Sequence, residues 1–476
     1  MSPDDVPPAD DDSEVARARD DTDTDSDSPS DAPRLDGPSS LSRRQLLGLV
    51  GGAGAVGGVG WFRPTWLPDP ITDWLTTLYP NPPAHVWRPA VSDAHADEAV
   101  DRLERTVERA QTLKERVDLD SVPRELRFSL DHGDPSGGWL DSAQSASDAH
   151  ERLQYATIGL SFAGEVVGAA TFVLDEADPE RLADRGRAIR SSAEAVLDSV
   201  GDYAVSDPSR DLAYLYFVER ELAFARFNSR YRKRFAGETT TASDDFTDGA
   251  VADANAAYLQ AEQRLANARY YRDRYREGLG DEARSYADAL DSALTTLTES
   301  IATFPTASEV RDRISDERDL GQQTPYGAAR WELLSICFDS DYRRDYGPDG
   351  HRHGHTVQRV VESAIALLGR RGHEFALDEL GVSPGDTGYD SGRTFRAKRR
   401  AVRRFRSVRD AYDSPFAGVL AQGAANLIHA GEVGIDLADG THPMWRNRVE
   451  ATTYYLVGEG EMRELGEVYG TVIDGS

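Results

Sequence analysis

The densest group of metal-type ligands in the chain is His351-Arg352-His353-Gly354-His355, which holds three of the ten histidines and follows Asp339, Asp341, Asp345 and Asp349. Imidazoles and carboxylates gathered in a small volume are what a transition-metal site needs, and an alternating triplet can put two rings on one side. The spacing matches no metal-ligand pattern, and there is no His-Glu-x-x-His helix elsewhere to supply distant ligands. A polar loop opening a helix from Thr356 accounts for the same residues. His351, His353 and His355 therefore stand as metal candidates only, and no cofactor is expected.

Arginine supplies a second chemistry. Residues Arg393 to Arg409 include nine cationic side chains in seventeen, against the acidic trend of the chain. Phe395, Val402, Phe405 and Tyr412 mark an inward stripe at helical spacing, which leaves a dense arginine face outward. Such a face can hold anionic lipid headgroups, a phosphorylated ligand or an acidic partner, or it can pair with the chain's own carboxylates. The shorter cluster Arg226, Arg230, Arg232, Lys233 and Arg234 reads the same way. Cys337, the single cysteine, lies in the apolar run Leu333 to Phe338, where a thiol acts as a small buried hydrophobe. No Gly-rich phosphate loop, Gly-x-Ser-x-Gly elbow or dinucleotide fingerprint is present, so no catalytic residue is assigned.

The elements that must position these groups are helical. From Asp97 onward apolar residues recur at intervals of three and four, as at Val100, Leu103, Val107, Ala110 and Val117. Asp178-Pro179 and Asp207-Pro208 read as an N-cap followed by Pro at the first helical position, with Gly201 and Gly237 as stops. Further helical runs fall at 250–278, 281–303, 326–338, 356–370, 393–413, 416–433 and 445–457, and short β-compatible pieces lie near Leu126 to Leu130. Tyr155 to Leu174 carries one charge, Glu165, in twenty residues. Its acidic flanks and its small residues Gly159, Gly164 and Gly168 favour a buried central helix over a membrane span. The segments around 213–232 and 257–276 share Ala-Tyr-Leu and Arg-Tyr-Arg triplets, as similar helices of one bundle would. The fold class is all-α: long amphipathic helices in a bundle or irregular array, after a disordered acidic N-terminus and one apolar segment.

Composition narrows the setting. The 476 residues hold 83 Asp plus Glu against 54 Lys plus Arg, a net charge of −29. Only Lys114, Lys233 and Lys398 are lysines, and Asp outnumbers Glu by 53 to 30. Short, strongly hydrated carboxylates with few lysine stems resemble the surfaces of proteins from extreme halophiles, archaeal ones among them, where molar salt screens self-repulsion over a few ångströms. Such a charge makes nucleic-acid binding unfavourable.

Residues 1–41 hold thirteen acids and three arginines with almost no bulky apolar side chains, and read as disordered. There follows Ser42-Arg43-Arg44-Gln45-Leu46-Leu47, then an uncharged, glycine-rich run to Phe62. This resembles a twin-arginine export signal, and the resemblance assigns Arg43, Arg44, Leu46 and Leu47 to the signal and the twin-arginine translocase as partner during export. No small-x-small cleavage site sits where one is expected. The eighteen uncharged residues Gln45 to Phe62 just reach the length of a bilayer span, so an uncleaved anchor in membrane lipid is the reading, with a released, secreted protein as the alternative. Residues 61–89 contain four of seven tryptophans and seven prolines. That composition suits an extended strap, lying either at the membrane interface or along the body.

The resulting organisation is 1–41 acidic leader, 42–62 signal or anchor, 63–96 strap, 97–304 N-terminal helical bundle and 305–476 C-terminal helical region. The expected function is a non-enzymatic binding or structural protein at the outer face of the cytoplasmic membrane, its body extracellular. The alternative is an exported enzyme, metal-dependent through His351, His353 and His355.

Overall fold

The structure, a computed structural model, describes residues 67–131, 133–230, 248–316, 323–346, 355–436 and 443–474. In chain order the helices are α1 (Asp69–Leu78), α2 (Asp93–Lys114), α3 (Arg124–Asp131), α4 (Trp139–Ser145), α5 (Ala149–Val173), α6 (Pro179–Asp198), α7 (Pro208–Ser229), α8 (Asp248–Glu277), α9 (Ala287–Ile301), α10 (Ala307–Asp316), α11 (Pro325–Tyr346), α12 (Thr356–Glu379), α13 (Ser391–Ala411), α14 (Pro415–Asp436) and α15 (Met444–Ile473). The strands among the described residues are β1 (Ala204–Val205) and β2 (Arg284–Ser285), antiparallel, with Ala204 opposite Ser285 and Val205 opposite Arg284. The all-α expectation holds.

Local signals explain several helix starts. The Asp178 and Asp207 side chains accept from the backbone N–H of Arg181 and Ser209, each with Pro at the next position, as the sequence predicts. Asp148 caps α5 through the N–H groups of His150 and Glu151, and Asp390 caps α13 through Arg393. Gly201 takes a positive φ of 66° just beyond the end of α6, the left-handed turn that glycine makes without steric conflict. Gly237 lies outside the described residues.

Two groups of helices are built around long central members. In the first, α5 packs between α2 and α8, and α7 lies against α8 with α6 alongside. The two similar segments thus lie on neighbouring helices α7 and α8 as far as Ser229 and Glu277, and Tyr231 and Arg232 lie outside the described residues. In the second, α15 packs against α11, α12, α13 and α14. Helix α7 touches α12 and α14, and one continuous core runs from Val196 and Leu215 through Leu333 and Val361 to Tyr455 and Val472.

Some boundaries differ from the sequence reading, each for a physical reason. The β-compatible piece at Leu126 to Leu130 is helix α3, because Leu126 and Leu130, one helical turn apart, are both buried while Phe128 is exposed. The run expected at 281–303 begins only at Ala287, since Arg284 and Ser285 pair with β1. The helix expected to end near residue 457 continues to Ile473. Glycine-rich Gly458-Glu459-Gly460 reads as a stop in sequence, yet here it permits close packing: a Cβ on Gly460 would stand 2.8 Å from the Cα of Gly372.

Candidate functional site

A cleft of about 1570 Å³ opens between the two helix groups. Helices α7 and α8 supply one wall through Tyr216, Phe217, Arg220, Glu221, Arg264 and Asn267; α11, α12, α14 and α15 supply the other through Cys337, Gln358, Glu362, Gln422 and Glu461. Trp87 and Arg88, from the extended segment between α1 and α2, line it as well. That segment is fixed to the body. The Val86 N–H donates to Gln422 Oε1 at 2.9 Å, the Ser92 N–H donates to the Tyr270 hydroxyl at 2.8 Å, and the Trp87 ring meets Tyr214 and Phe217 edge-on.

The α7–α8 wall is polar but internally matched. Glu221 accepts from Arg264 at 3.0 Å, lies 3.8 Å from Arg220, and accepts from Asn267 at 3.4 Å. The Arg220 guanidinium sits 4.6 Å over the Phe217 ring, and that of Arg264 sits 5.2 Å over Phe224. A planar guanidinium stacks favourably on a ring face, which helps to fix both arginines in the wall.

The opposite wall holds an unmatched carboxyl group. Glu461 is 7% exposed, and among the described residues none forms a hydrogen bond or ion pair with it. Burial raises its carboxyl from the usual range to about 8. Its neighbour two residues back, Glu459, shows the contrast: that carboxylate pairs with Arg463 at 2.7 Å and Arg400 at 3.1 Å. Beside Glu461, burial pushes the Cys337 thiol well above its ordinary value, the nearby Glu461 charge adding to the effect. A thiol so placed stays protonated, which argues for a wall group and against a nucleophile.

The sequence candidates fall elsewhere. His355 is fully buried at the start of α12, its Nδ1 3.0 Å from the Glu219 carbonyl. The Glu219 carboxylate accepts from the Tyr203 hydroxyl and the Gln358 N–H, both at 2.6 Å, and so caps the N-terminus of α12. Burial raises the Glu219 carboxyl to about 8, and these hydrogen bonds oppose that rise. His355 thus helps to seat a helix end. His351, His353 and Asp349 lie outside the described residues, as do Arg43, Arg44, Leu46 and Leu47; among the described residues no three His, Cys, Asp or Glu side chains converge as a metal site.

The arginine helix divides in two. On α13 the buried stripe is Phe395, Val402 and Phe405, with Lys398 also fully buried, donating to the Thr76 carbonyl at 2.8 Å and to Glu432 at 3.0 Å. Arg393, Arg400 and Arg409 bond to the body through Gly381, Glu379 and Tyr412. Arg396, Arg403, Arg404 and Arg406 form no hydrogen bond or ion pair with any described residue.

Sequence reasoning missed the cleft's central groups. Glu219-Arg220-Glu221 interrupts an otherwise apolar stretch of α7, a weak signal of buried charge, whereas Glu461 stands among Glu459, Arg463 and Glu464 and nothing in the sequence sets it apart.

These observations define an all-α array with a charged, aromatic-lined cleft at the junction of two helix groups. Residues 94–282 match a family model described as a domain of unknown function (DUF8262), and residues 287–474 match a second, also described as a domain of unknown function (DUF8264). The first match takes in α2 to α8 and the second α9 to α15, meeting next to β2. No curated protein and no solved structure matches the chain.

Proposed function

We propose that the chain is an exported, membrane-anchored helical binding protein of an extreme halophile, working at the outer face of the cytoplasmic membrane, and that the cleft is its ligand site. Export and anchoring rest on Arg43, Arg44, Leu46 and Leu47 followed by the uncharged run to Phe62. The observation that carries the binding role is Glu461, a buried carboxylate without a protein partner on the wall of a cleft large enough for a small molecule or a peptide segment. Burial disfavours the charged form of this carboxyl, and a bound cation would offset that cost and hold it ionised. The ligand class is an organic cation whose ammonium group sits on Glu461, with its body against the aromatic wall around Trp87 and Phe217.

Thermal unfolding in molar salt with millimolar choline, spermidine or arginine ethyl ester tests this reading. Binding to the native state raises the midpoint by several degrees, so at least one probe stabilises the wild type and leaves Glu461→Gln unmoved. Absence of a shift with every probe, or equal shifts in both proteins, counts against the cleft as a cation site.

A further inference from the structure

Helix α1 turns Ile71 and Leu78 to solvent and Thr72, Asp73 and Thr76 to the body, with Leu75 packed against the core. Its buried residues are Thr72, Asp73 and Thr76, whereas Ile71 and Leu78 are 42% and 48% exposed and Trp74 is half-buried. The inward face is held by polar bonds. Arg448 pairs with Asp73 and with Asp69, each at 2.7 Å, Ser391 donates to Asp69 at 2.8 Å, and buried Lys398 donates to the Thr76 carbonyl. A helix of a soluble body ordinarily buries its apolar stripe. Here both charges on the helix are matched inward, while Ile71 and Leu78 stand exposed beside half-buried Trp74.

The exposed apolar surface extends beyond α1. Val433 and Met444 are 53% and 38% exposed. Val433 follows Glu432, the partner of Lys398, and Met444 lies one turn before Arg448, so both sit on the helix ends that hold α1. Packed beside α1 is α13, which carries the four arginines without an ion pair.

We propose that α1, the adjoining ends of α14 and α15, and the arginine face of α13 form a membrane-contact surface that lies on a bilayer with anionic headgroups. Ile71, Trp74 and Leu78 enter the interfacial zone, where tryptophan is favoured, and Arg396, Arg403 and Arg406 take lipid phosphates. Charge complementarity at contact range selects this occupant, because Arg396, Arg403 and Arg406 form no ion pair with the described body and headgroup phosphates can pair with them at hydrogen-bond distance, inside the reach that molar salt leaves unscreened. Chain length agrees. The uncharged run ends at Phe62, and roughly 25 Å of extended chain at most separates it from Asp69, which keeps α1 within reach of the membrane that the run is proposed to span. The surface rests on that anchor reading and adds to it a second contact that orients the body.

The test uses the full chain in phosphatidylglycerol–phosphatidylcholine proteoliposomes, with Ile71→Cys, Leu78→Cys or, as a remote exposed control, Asp312→Cys labelled by an environment-sensitive dye. Native Cys337 is buried and reacts slowly. The dye at 71 or 78 is expected to shift to the blue and be quenched by nitroxide lipid and shielded from iodide, with the reverse at 312. In the triple variant Arg396→Glu, Arg403→Glu, Arg406→Glu, lipid quenching at 71 should fall at least twofold. A vesicle-bound chain whose dye at 71 stays open to iodide overturns the surface and leaves the anchor standing. A blue shift without lipid quenching also overturns it, by showing another copy or chain segment on the patch. A chain that fails to pellet with vesicles overturns both the surface and the anchor.

Discussion

Helices α5 and α1 are both apolar in sequence, and the fold treats them in opposite ways. Helix α5 is long and apolar enough to cross a membrane, yet it lies inside the body between α2 and α8. Its small residues allow this: a Cβ on Gly168 would stand 2.6 Å from the Ala252 Cα and the Val251 carbonyl oxygen, and Gly159 meets Leu103 as closely. The one charge within its apolar stretch from Tyr155, Glu165, accepts from Ser129 at 2.5 Å. Helix α1 has bulky Ile71, Trp74 and Leu78 on one side and meets the body through Thr72, Asp73 and Thr76, joined by Leu75, on the other. Total apolarity therefore does not decide what a helix faces; the size of the apolar side chains and the placement of matched charges do.

The largest effect should come from closing the gap on α5. Gly168→Leu forces backbone apart on α8, and destabilisation on the order of 4 kcal/mol or more is expected, read as loss of a cooperative thermal transition in molar salt. Breaking the polar seat of α1 comes next. Asp73→Ala leaves Arg448 short of a buried partner and should cost about 3 kcal/mol, with protease cutting near residues 79–83 far faster than in the wild type.

A third prediction concerns the cleft between the two helix groups. Because burial raises Glu461 from 4.5 to about 8, the folded chain binds a proton that the unfolded chain has released. Stability is then full below about pH 4.5 and declines as pH rises toward 8, with Glu219 contributing in the same direction. Glu461→Gln removes part of that slope. It should leave stability unchanged near pH 4 and raise it by roughly 2 kcal/mol near pH 8. Equal pH profiles for the two proteins would show that Glu461 has a partner when folded.

The smallest effect is expected on the exposed side of α1. Ile71→Ser and Leu78→Ser should each change the unfolding free energy of the chain by no more than about 0.5 kcal/mol, since neither side chain packs inward. A loss several times larger would mean that the stripe is covered in solution.

Much of the fold was legible in sequence. The Asp-Pro pairs at 178–179 and 207–208 carry their own capping chemistry, and the glycines spaced along α5 announce a close-packed helix. Less was legible where tertiary contacts reverse a local signal. Gly460 looks like a helix stop until Gly372 is seen against it, and Leu126 to Leu130 looks extended until both leucines are found buried on one face. The cleft depends on residues more than 200 positions apart, such as Glu221 and Glu461. Each looks like an ordinary solvated acid in an acidic chain, and only the packed helices reveal that one is paired and the other is not.

On the proposed reading, the folded body lies outside the cell on an uncleaved N-terminal anchor. Protease treatment of intact cells, combined with membrane fractionation and mass spectrometry of the native N-terminus, tests this directly. The expected result is a membrane-bound chain that keeps residues 42–62 and loses its body to the external protease, with Arg43→Lys, Arg44→Lys retained inside and protected. A body that survives the protease, or a mature chain in the culture medium that begins beyond Phe62, would contradict it.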